Sequence, residues 1–306
     1  MTLSPVLVIA GPTAVGKSSL AHGVARRIGA EIVSADSRQL YRGFDIGTAK
    51  PTAQEQAEVE YHLLDALAPG ARSSAGQFLE WVKNAITDIQ SRGRPVVVVG
   101  GSTLYVHALV EGIPDVPPVS PELEEELLDA VAAPHGGDAL FRELEAVDPD
   151  AAATLDPTKT HRLVRWVGVL RETGRTPSEI WRTARQRVPS ILVVLERPRP
   201  ELYARAEQRV DVMMETGLLA EAERLYVSGE DARRTMAATI GYRELIPVIE
   251  DNQSLDEAIR LIKRNTRRYA KRQLTWYRRY SDALWLDAST VDVDVLLQSV
   301  APWPGE

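Results

Sequence analysis

The sequence predicts an α/β protein whose core is a parallel sheet flanked by helices, with an inserted helical domain. Short apolar runs recur along the chain, helical stretches such as residues 75–93 separate them, and a glycine-rich loop follows the first run. Continuous apolar runs that alternate with helices are typical of a parallel sheet covered on both faces. The strand-like runs cover residues 5–10, 31–36, 94–101 and 190–196.

The loop after the first run matches the phosphate-binding pattern G-x-x-x-x-G-K-[S/T], with a strand before it and helical spacing behind it. Inward-facing backbone amides, the helix N-terminus and a lysine attract a di- or triphosphate. We therefore predict a P-loop NTPase-like core that uses Mg²⁺ bound at Ser18. The loop alone does not distinguish ATP from another pyrophosphate ester. The predicted diphosphate- or nucleotide-binding residues are Gly11, Pro12, Thr13, Ala14, Val15, Gly16, Lys17 and Ser18.

A carboxylate follows the second run. Asp36 ends EIVSAD, and strand ends of this kind face the ligand crevice in parallel sheets. There it could accept a proton from a nucleophile, orient magnesium, or simply cap a turn. The most apolar run, VVVVGG, ends in Gly100 and Gly101 instead of the acidic residue that P-loop ATPases place at a strand end.

The prolines of EGIPDVPPVSPELEEELL mark a change in character. They indicate a linker, and the sequence that follows is helical to about residue 183 without a convincing strand. We predict a core made of residues 1–113 and 188–306, with a helical insertion at residues 114–187.

Composition excludes several classes of protein. The chain has no cysteine, so disulfides, thiolate zinc sites and a cysteine nucleophile are ruled out. Its five histidines are scattered without metal-ligand spacing. Because no apolar run approaches membrane-spanning length and no basic region precedes the first one, we expect a cytoplasmic protein without a membrane partner.

The net charge of −7 conceals a basic segment. Residues 263–280, KRNTRRYAKRQLTWYRRY, hold eight Lys or Arg and no Asp or Glu. A polyanion responds to such a local patch and not to the average charge, so we predict a helix that binds RNA phosphates. Tyr269, Trp276 and Tyr277 within it fit either core packing or base stacking.

Six blocks resemble the tRNA dimethylallyltransferases, the IPP transferase family, in order and spacing over almost the whole chain. The resemblance implies transfer of a dimethylallyl group from dimethylallyl diphosphate to N6 of the adenine immediately 3′ of the anticodon, in tRNAs reading codons that begin with U. It also implies that the phosphate loop holds the donor diphosphate. The blocks are GPTAVGKS (11–18), DSRQLYRGFDIGTAKP (36–51), YHLLD (61–65), GGSTLY (100–105), TIGYREL (239–245) and RRYAKRQLTWYRR (267–279).

The resemblance also implies roles for single residues. Asp36 accepts the proton of the adenine amine, while Lys17 and Arg209 bind the diphosphate; Arg205 lies one turn before Arg209. Eukaryotic members carry a zinc-finger extension, so the cysteine-free chain is expected to be the bacterial form. The expected tRNA-binding residues are Asp36, Ser37, Arg38, Gln39, Ser102, Arg162, Arg165, Lys263, Arg264, Arg267, Arg268, Lys271 and Arg272.

Two departures from the family pattern affect the expected tRNA contacts: GGSTLY replaces the usual GGTGLY, and WVGV replaces ALEV.

Three other functions share parts of the sequence pattern. They are an ATP-dependent nucleoside or nucleotide kinase-like phosphotransferase, a non-catalytic RNA-binding NTPase, and an enzyme that prenylates free adenine nucleotides. The basic helix and the helical insertion separate the last of these from the tRNA enzymes. We also expect a monomer.

Overall fold

The computed structural model describes residues 3–156, 159–183 and 187–301. Six strands of this part of the chain form one parallel sheet, in the spatial order β3-β2-β4-β1-β5-β6. The predicted class, a parallel sheet flanked by helices, is confirmed. The strands are β1 (Val6–Ala10), β2 (Glu31–Ser34), β3 (Tyr61–His62), β4 (Val96–Gly100), β5 (Ser190–Glu196) and β6 (Leu284–Asp287).

The centre of the sheet explains why the apolar runs become strands. Every residue of β1, β2 and β4 is buried, so both faces of these strands are covered. Val8 is paired with Val98 on one side and Leu192 on the other. β-branched side chains dominate these strands and pack well on a pleated surface.

The sheet has two strands that the apolar runs did not predict. β3 has two half-buried residues, and β6 is partly buried at the opposite edge. In the predicted run 31–36, the strand β2 ends at Ser34. Asp36 therefore lies in the loop that follows the C-terminal end of β2.

Helices connect the strands. Most predicted helical stretches are present, and residues 75–91 form a long amphipathic helix with a capping box at Ser74. The helices are α1 (Lys17–Ile28), α2 (Ala53–Glu58), α3 (Ala75–Ser91), α4 (Thr103–Val110), α5 (Pro121–Ala132), α6 (Gly136–Val147), α7 (Pro149–Thr154), α8 (Thr160–Thr173), α9 (Pro177–Trp181), α10 (Arg199–Glu215), α11 (Leu218–Val227), α12 (Glu230–Ala237), α13 (Ile246–Ile249), α14 (Leu255–Tyr277) and α15 (Val293–Val300).

The chain divides into two compact units. Met1–Val110 and Val188–Glu306 form one, which contains the sheet, and Glu111–Arg187 form the other. The second unit has its own apolar core around Leu127 and Leu144, and its described residues are helical without a strand. The sequence placed the first boundary at residue 114, three residues beyond the one observed.

Among the described residues, no helix combines the length and the apolar character needed to cross a membrane.

Candidate active site

The phosphate loop (residues 11–18) joins β1 to α1. Gly11 has φ +146°, and a Cβ there would lie 2.7 Å from the carbonyl oxygen of Leu195. Gly16 precedes the helix with φ +114°. Both positions therefore require glycine. Lys17 begins the helix with only 8% of its surface exposed, and its Nζ donates to the carbonyl of Pro12 at 3.3 Å.

Side chains from distant elements hold the backbone of this loop from outside. The Nε of Arg205 donates to the Ala14 carbonyl at 3.1 Å, and the Nε of Arg197 donates to the Val15 carbonyl at 2.9 Å. Ala14 itself has φ +65°. Because these carbonyls are held outward, the loop is shaped before any ligand binds. The sequence pattern gave no sign of Arg197, whose role depends on tertiary packing.

Asp36 lies beyond β2, where the backbone N–H of Arg38 donates to its Oδ1 at 2.9 Å. The neighbouring strand end approaches closely, because a Cβ on Gly100 would lie 2.1 Å from the Ala35 carbonyl oxygen. The glycine that stands where many P-loop enzymes have a carboxylate is thus required by packing. The residues that follow Asp36 and Gly100 are also in contact, because the backbone N–H of Ser37 donates to Ser102 Oγ at 2.8 Å.

The phosphate loop and the Asp36 loop face one small cavity of about 90 Å³. Lys17, Asp36 and Arg209 line it, so the three residues predicted to act in catalysis lie together. Further lining residues are Thr13, Ser18, Ser34, Gln39, Thr48, Ala49, Lys50, Pro51, Glu55, Tyr61, Val99, Gly100, Tyr269 and Gln273.

Burial and charge both act on the two cations. Burial lowers the pKa of Lys17 to about 8, the positive charge of Arg209 adds to this effect, and Asp36 opposes it. Burial likewise lowers the pKa of Arg209, again opposed by Asp36. Two cations held in a confined space favour the binding of an anion there.

A wider cavity of about 850 Å³ shares lining residues of the phosphate loop and the DIGTAKP loop with the small one. Lys17, Ser18 and Arg209 line both, so the cations lie where the two cavities meet. Arg205 lines the wider cavity, in which apolar side chains contribute much of the wall. These apolar residues are Ala14, Ile46, Ala49, Pro51, Ala53, Val212 and Met213.

A buried carboxylate holds the DIGTAKP loop (residues 45–51) in place. Glu221 accepts hydrogen bonds from the backbone N–H groups of Asp45, Ile46 and Gly47, and from the Tyr242 hydroxyl at 2.5 Å. A Cβ on Gly47 would lie 2.5 Å from the Tyr242 ring, so only glycine fits. Tyr242 of the TIGYREL block therefore supports the DIGTAKP loop.

The DIGTAKP loop in turn places groups of the small cavity. Its Thr48 carbonyl accepts from Arg209 Nη2 at 3.5 Å and from Gln39 Nε2 at 3.2 Å. Gln39 Nε2 also donates to the Ala49 carbonyl, and Gln39 Oε1 accepts from Ser34 Oγ. The side-chain amide of Gln39, which we predicted to contact tRNA, thus forms hydrogen bonds within the protein.

Residues 263–277 of the basic segment lie on α14 and residues 278–280 follow it, but the charges of the segment are not all uncompensated. Lys263 Nζ lies 2.6 Å from Asp211, and Arg267 pairs with Glu207, both acids belonging to α10. The Nε of Arg264 is buried. The exposed basic residues are Arg268, Lys271, Arg272, Arg278 and Arg279.

The three aromatic residues of this segment lie in different surroundings. Tyr277 is fully buried and belongs to the core. Trp276 is partly buried, with the Arg279 guanidinium 3.5 Å from its ring centroid. Tyr269 lines the small cavity, where burial raises the pKa of its hydroxyl.

The remaining predicted tRNA contacts, Arg162 and Arg165, lie on α8 in the helical unit. Arg162 is exposed. Arg165 is half-buried and its Nη2 donates to the Pro117 carbonyl at 2.9 Å, while burial lowers its pKa.

One group of possible metal ligands occurs among the described residues, formed by Glu31, Glu60 and His62. Glu31 is fully buried and already paired with Arg92 and with His62 Nε2 at 2.7 Å. A guanidinium at that carboxylate opposes a cation, so this group is a structural charge network. Ser18, the predicted Mg²⁺ ligand, is instead exposed beside Lys17 at the cavities.

Known proteins are similar to this chain over most of its length. The family model described as IPP transferase matches residues 39–280. A tRNA dimethylallyltransferase of Chlorobium phaeovibrioides is 46% identical over 292 residues, 94% of each chain. One from Salinibacter ruber is 42% identical over 298 residues, 96% of this chain and 91% of the relative.

Solved structures are similar as well. The tRNA isopentenylpyrophosphate transferase of Bacillus halodurans has a TM-score of 0.68 and 37% identity, covering 97% of this chain and 94% of its own. A eukaryotic dimethylallyltransferase studied acting on tRNA has a TM-score of 0.84 and 29% identity, covering 97% of this chain and 78% of its own. The family predicted from the sequence blocks is confirmed, and this chain belongs to the IPP transferases.

Proposed function

We propose that this protein transfers a dimethylallyl group from dimethylallyl diphosphate to N6 of the adenine immediately 3′ of the anticodon, in tRNAs that read codons beginning with U. The observation that carries the proposal is the convergence of Asp36, Lys17 and Arg209 on one cavity. A proton acceptor beside two cations suits an alkylation with an anionic leaving group. The family and the relatives named tRNA dimethylallyltransferases support the same reaction.

The bond changes assign a task to each side chain. The adenine N6 forms a bond to C1 of the donor while the bond from C1 to the diphosphate oxygen breaks, and its electron pair leaves with diphosphate. The growing negative charge lies against Lys17 and Arg209, whose positive charges stabilise it. N6 loses one proton, and we assign its acceptance to the carboxylate of Asp36.

The acceptor base has to leave its stack to reach Asp36. Enzymes that act on a base in RNA usually hold it against an aromatic or guanidinium plane. Tyr269 lines the same cavity as Asp36 and is suited to this contact. Arg268, Lys271 and Arg272 are exposed on α14 near Tyr269, and Arg278 and Arg279 follow the end of this helix. These residues would bind the phosphates of the anticodon stem-loop.

Magnesium fits the donor side. Mg²⁺ prefers oxygen ligands and is commonly held by few protein groups together with substrate phosphates. The Ser18 hydroxyl, exposed beside Lys17, supplies such an oxygen. A bound ion would neutralise part of the diphosphate charge. We assign Ser18 as its ligand, and we place the reaction in the cytoplasm on a monomeric enzyme.

The test is incubation with labelled dimethylallyl diphosphate, Mg²⁺ and an unmodified anticodon stem-loop. We expect label in the RNA, and none when the target adenine is replaced by guanine. In a parallel incubation with AMP in place of the stem-loop, labelled AMP products would instead indicate prenylation of free nucleotides. Transfer of phosphate from labelled ATP to a nucleoside, with the allylic donor unconsumed, would contradict the proposal and indicate the kinase-like function.

A further inference from the structure

The middle of α14 carries a glutamine whose surroundings are unlike those of its basic neighbours. Gln273 is buried, with 2% of its surface exposed, between exposed Arg272 and buried Leu274. A primary amide has donors and an acceptor that need partners when it is buried. Two backbone partners of Gln273 lie on other elements, Thr13 in the phosphate loop and Gly101 after β4, and Tyr269 on the same helix is a further hydrogen-bond partner.

On one side the amide binds the phosphate loop. The backbone N–H of Thr13 donates to Gln273 Oε1 at 2.9 Å. On the other side Gln273 Nε2 donates to the Gly101 carbonyl at 2.7 Å. A Cβ on Gly101 would lie 2.6 Å from that Nε2 and 3.4 Å from Lys17 Nζ. Gln273 therefore connects the phosphate loop, which holds the donor diphosphate in our proposal, to the turn at residues 100–102.

The second bond leads to the acceptor side through consecutive contacts. Ser102 follows Gly101, and its Oγ accepts from the backbone N–H of Ser37, the residue after Asp36. The Ala35 carbonyl accepts from the Ser102 backbone N–H at 3.3 Å. In addition to the pairing of β1 and β2 with β4, one side chain thus links the loop that holds the diphosphate to the loop that carries the carboxylate.

We propose that Gln273 is a positioning residue that sets the donor loop and the Asp36 loop in register, so that losing its amide slows transfer without weakening the binding of either substrate. This inference rests on the proposed function. The reacting atoms of two bound substrates must approach to within about 3–3.5 Å, and a misplacement of about 1 Å can lower the rate about 100-fold. Gln273 lines the small cavity, and its hydrogen bonds to Thr13 and Gly101 go to backbone groups, so we assign its effect to the backbones that it joins.

The test compares Gln273→Met with Gln90→Met. Met has a similar length and cannot reproduce either hydrogen bond. Gln90 is a matched control, because its amide also joins two backbone groups, accepting from the Ser4 N–H at 3.0 Å and donating to the Ser4 carbonyl at 2.9 Å. Gln90 lies on α3, and neither Gln90 nor Ser4 lines either cavity.

The measurements are the single-turnover rate at saturating dimethylallyl diphosphate and unmodified stem-loop, and the dissociation constant of each substrate. For Gln273→Met we expect a rate about 10- to 100-fold below wild type, with each dissociation constant changed less than about threefold. For Gln90→Met we expect the wild-type rate. A purely structural role of Gln273 would lower thermal stability but leave the rate of the folded fraction, counted by donor titration, unchanged.

Three outcomes overturn the inference: a Gln273→Met rate within threefold of wild type, a loss explained by weaker binding of one substrate, or an equal loss in Gln90→Met. Failure of the proposed function looks different, because wild type itself would then transfer no label to RNA.

A second variant separates the two bonds. Gln273→Glu keeps an acceptor for the Thr13 N–H but loses the donor to Gly101, and it introduces a negative charge beside the turn that faces Lys17. We expect it to transfer slowly and also to bind dimethylallyl diphosphate more weakly than Gln273→Met. Equal donor affinity and wild-type rate in this variant would contradict the register role.

Discussion

Lys17 is a cation held under conditions that disfavour its charge. Burial and the nearby Arg209 bring its pKa to about 8, and Asp36 offsets part of this decrease. The charged form is the one that attracts diphosphate. Since a bound anion stabilises that form, the free enzyme at high pH must take up a proton when the anion binds.

We predict that the affinity for inorganic diphosphate decreases as the pH rises from 7 to 9.5, with the decrease beginning near pH 8. Below that pH Lys17 is already charged, and above it the proton uptake costs up to tenfold in affinity per pH unit. Calorimetric titration at several pH values measures this. Lys17→Arg is the control, because arginine stays charged throughout and any remaining pH dependence belongs to the ligand. The same profile in both proteins would contradict the assignment.

Arg209 provides a second test of the same coupling. Replacing it with Met removes the positive charge that helps to lower the pKa of Lys17. The onset of the affinity decrease should then move to higher pH, while the affinity at pH 7 falls because one cation of the site is lost. An onset that stays at pH 8 in Arg209→Met would show that burial alone sets the pKa of Lys17.

At the scale of elements, the shape of the site depends on loops that side chains of neighbouring helices hold in place. α11 places Glu221 under the DIGTAKP loop, where its carboxylate accepts from three backbone N–H groups and the Tyr242 hydroxyl. Burial and Glu221 both raise the pKa of Tyr242, so this hydroxyl stays protonated and donates. The loop then has the fixed shape that places the Thr48 carbonyl near Arg209.

We expect Glu221→Ala to destabilise the protein by about 3 kcal/mol, because buried N–H groups left without partners each cost on the order of 1–3 kcal/mol. Urea unfolding measures the change as a shift of the midpoint at constant slope. Glu223→Ala is the matched control, since Glu223 is exposed on the same helix. Similar unfolding midpoints in the two variants would contradict the supporting role of Glu221.

The sequence predicted the elements with strong periodic signals and missed those without. Long apolar runs marked the four predicted strands, whereas two-residue β3 and partly buried β6 have no such run. In the site, Lys17 and Asp36 were found because a motif and a strand end give their positions. Gln273 and Glu221 are polar residues on helices, and sequence alone does not distinguish them from exposed ones. Their importance depends on contacts between segments far apart in the chain.

The whole molecule is acidic, with a net charge of −7, yet carries one helix with a basic exposed side. Pairing divides that helix into two sets of charges. Lys263 and Arg267 are bound to acids of α10, whereas Arg268 and Lys271 are exposed. Only charges free to contact phosphates release counterions when RNA binds.

The double variant Arg268→Ala with Lys271→Ala should weaken binding of the stem-loop and lower the slope of log affinity against log salt by about 1.5, from roughly 0.7–0.9 per phosphate contact. The matched double variant, Lys263→Ala with Arg267→Ala, should leave the slope nearly unchanged. Fluorescence anisotropy at several salt concentrations measures both. A larger change in slope from the paired residues would mean that the ion pairs with α10 open on binding.

The central claim is that one cavity joins a proton acceptor to a diphosphate site. It is tested most directly by the single-turnover rate of dimethylallyl transfer to an unmodified stem-loop, comparing wild type with Asp36→Asn. We predict a rate at least about 100-fold lower in the variant, as expected for loss of a general base, with both substrates bound nearly as tightly as by wild type. Transfer by Asp36→Asn at a rate close to that of wild type would contradict the account.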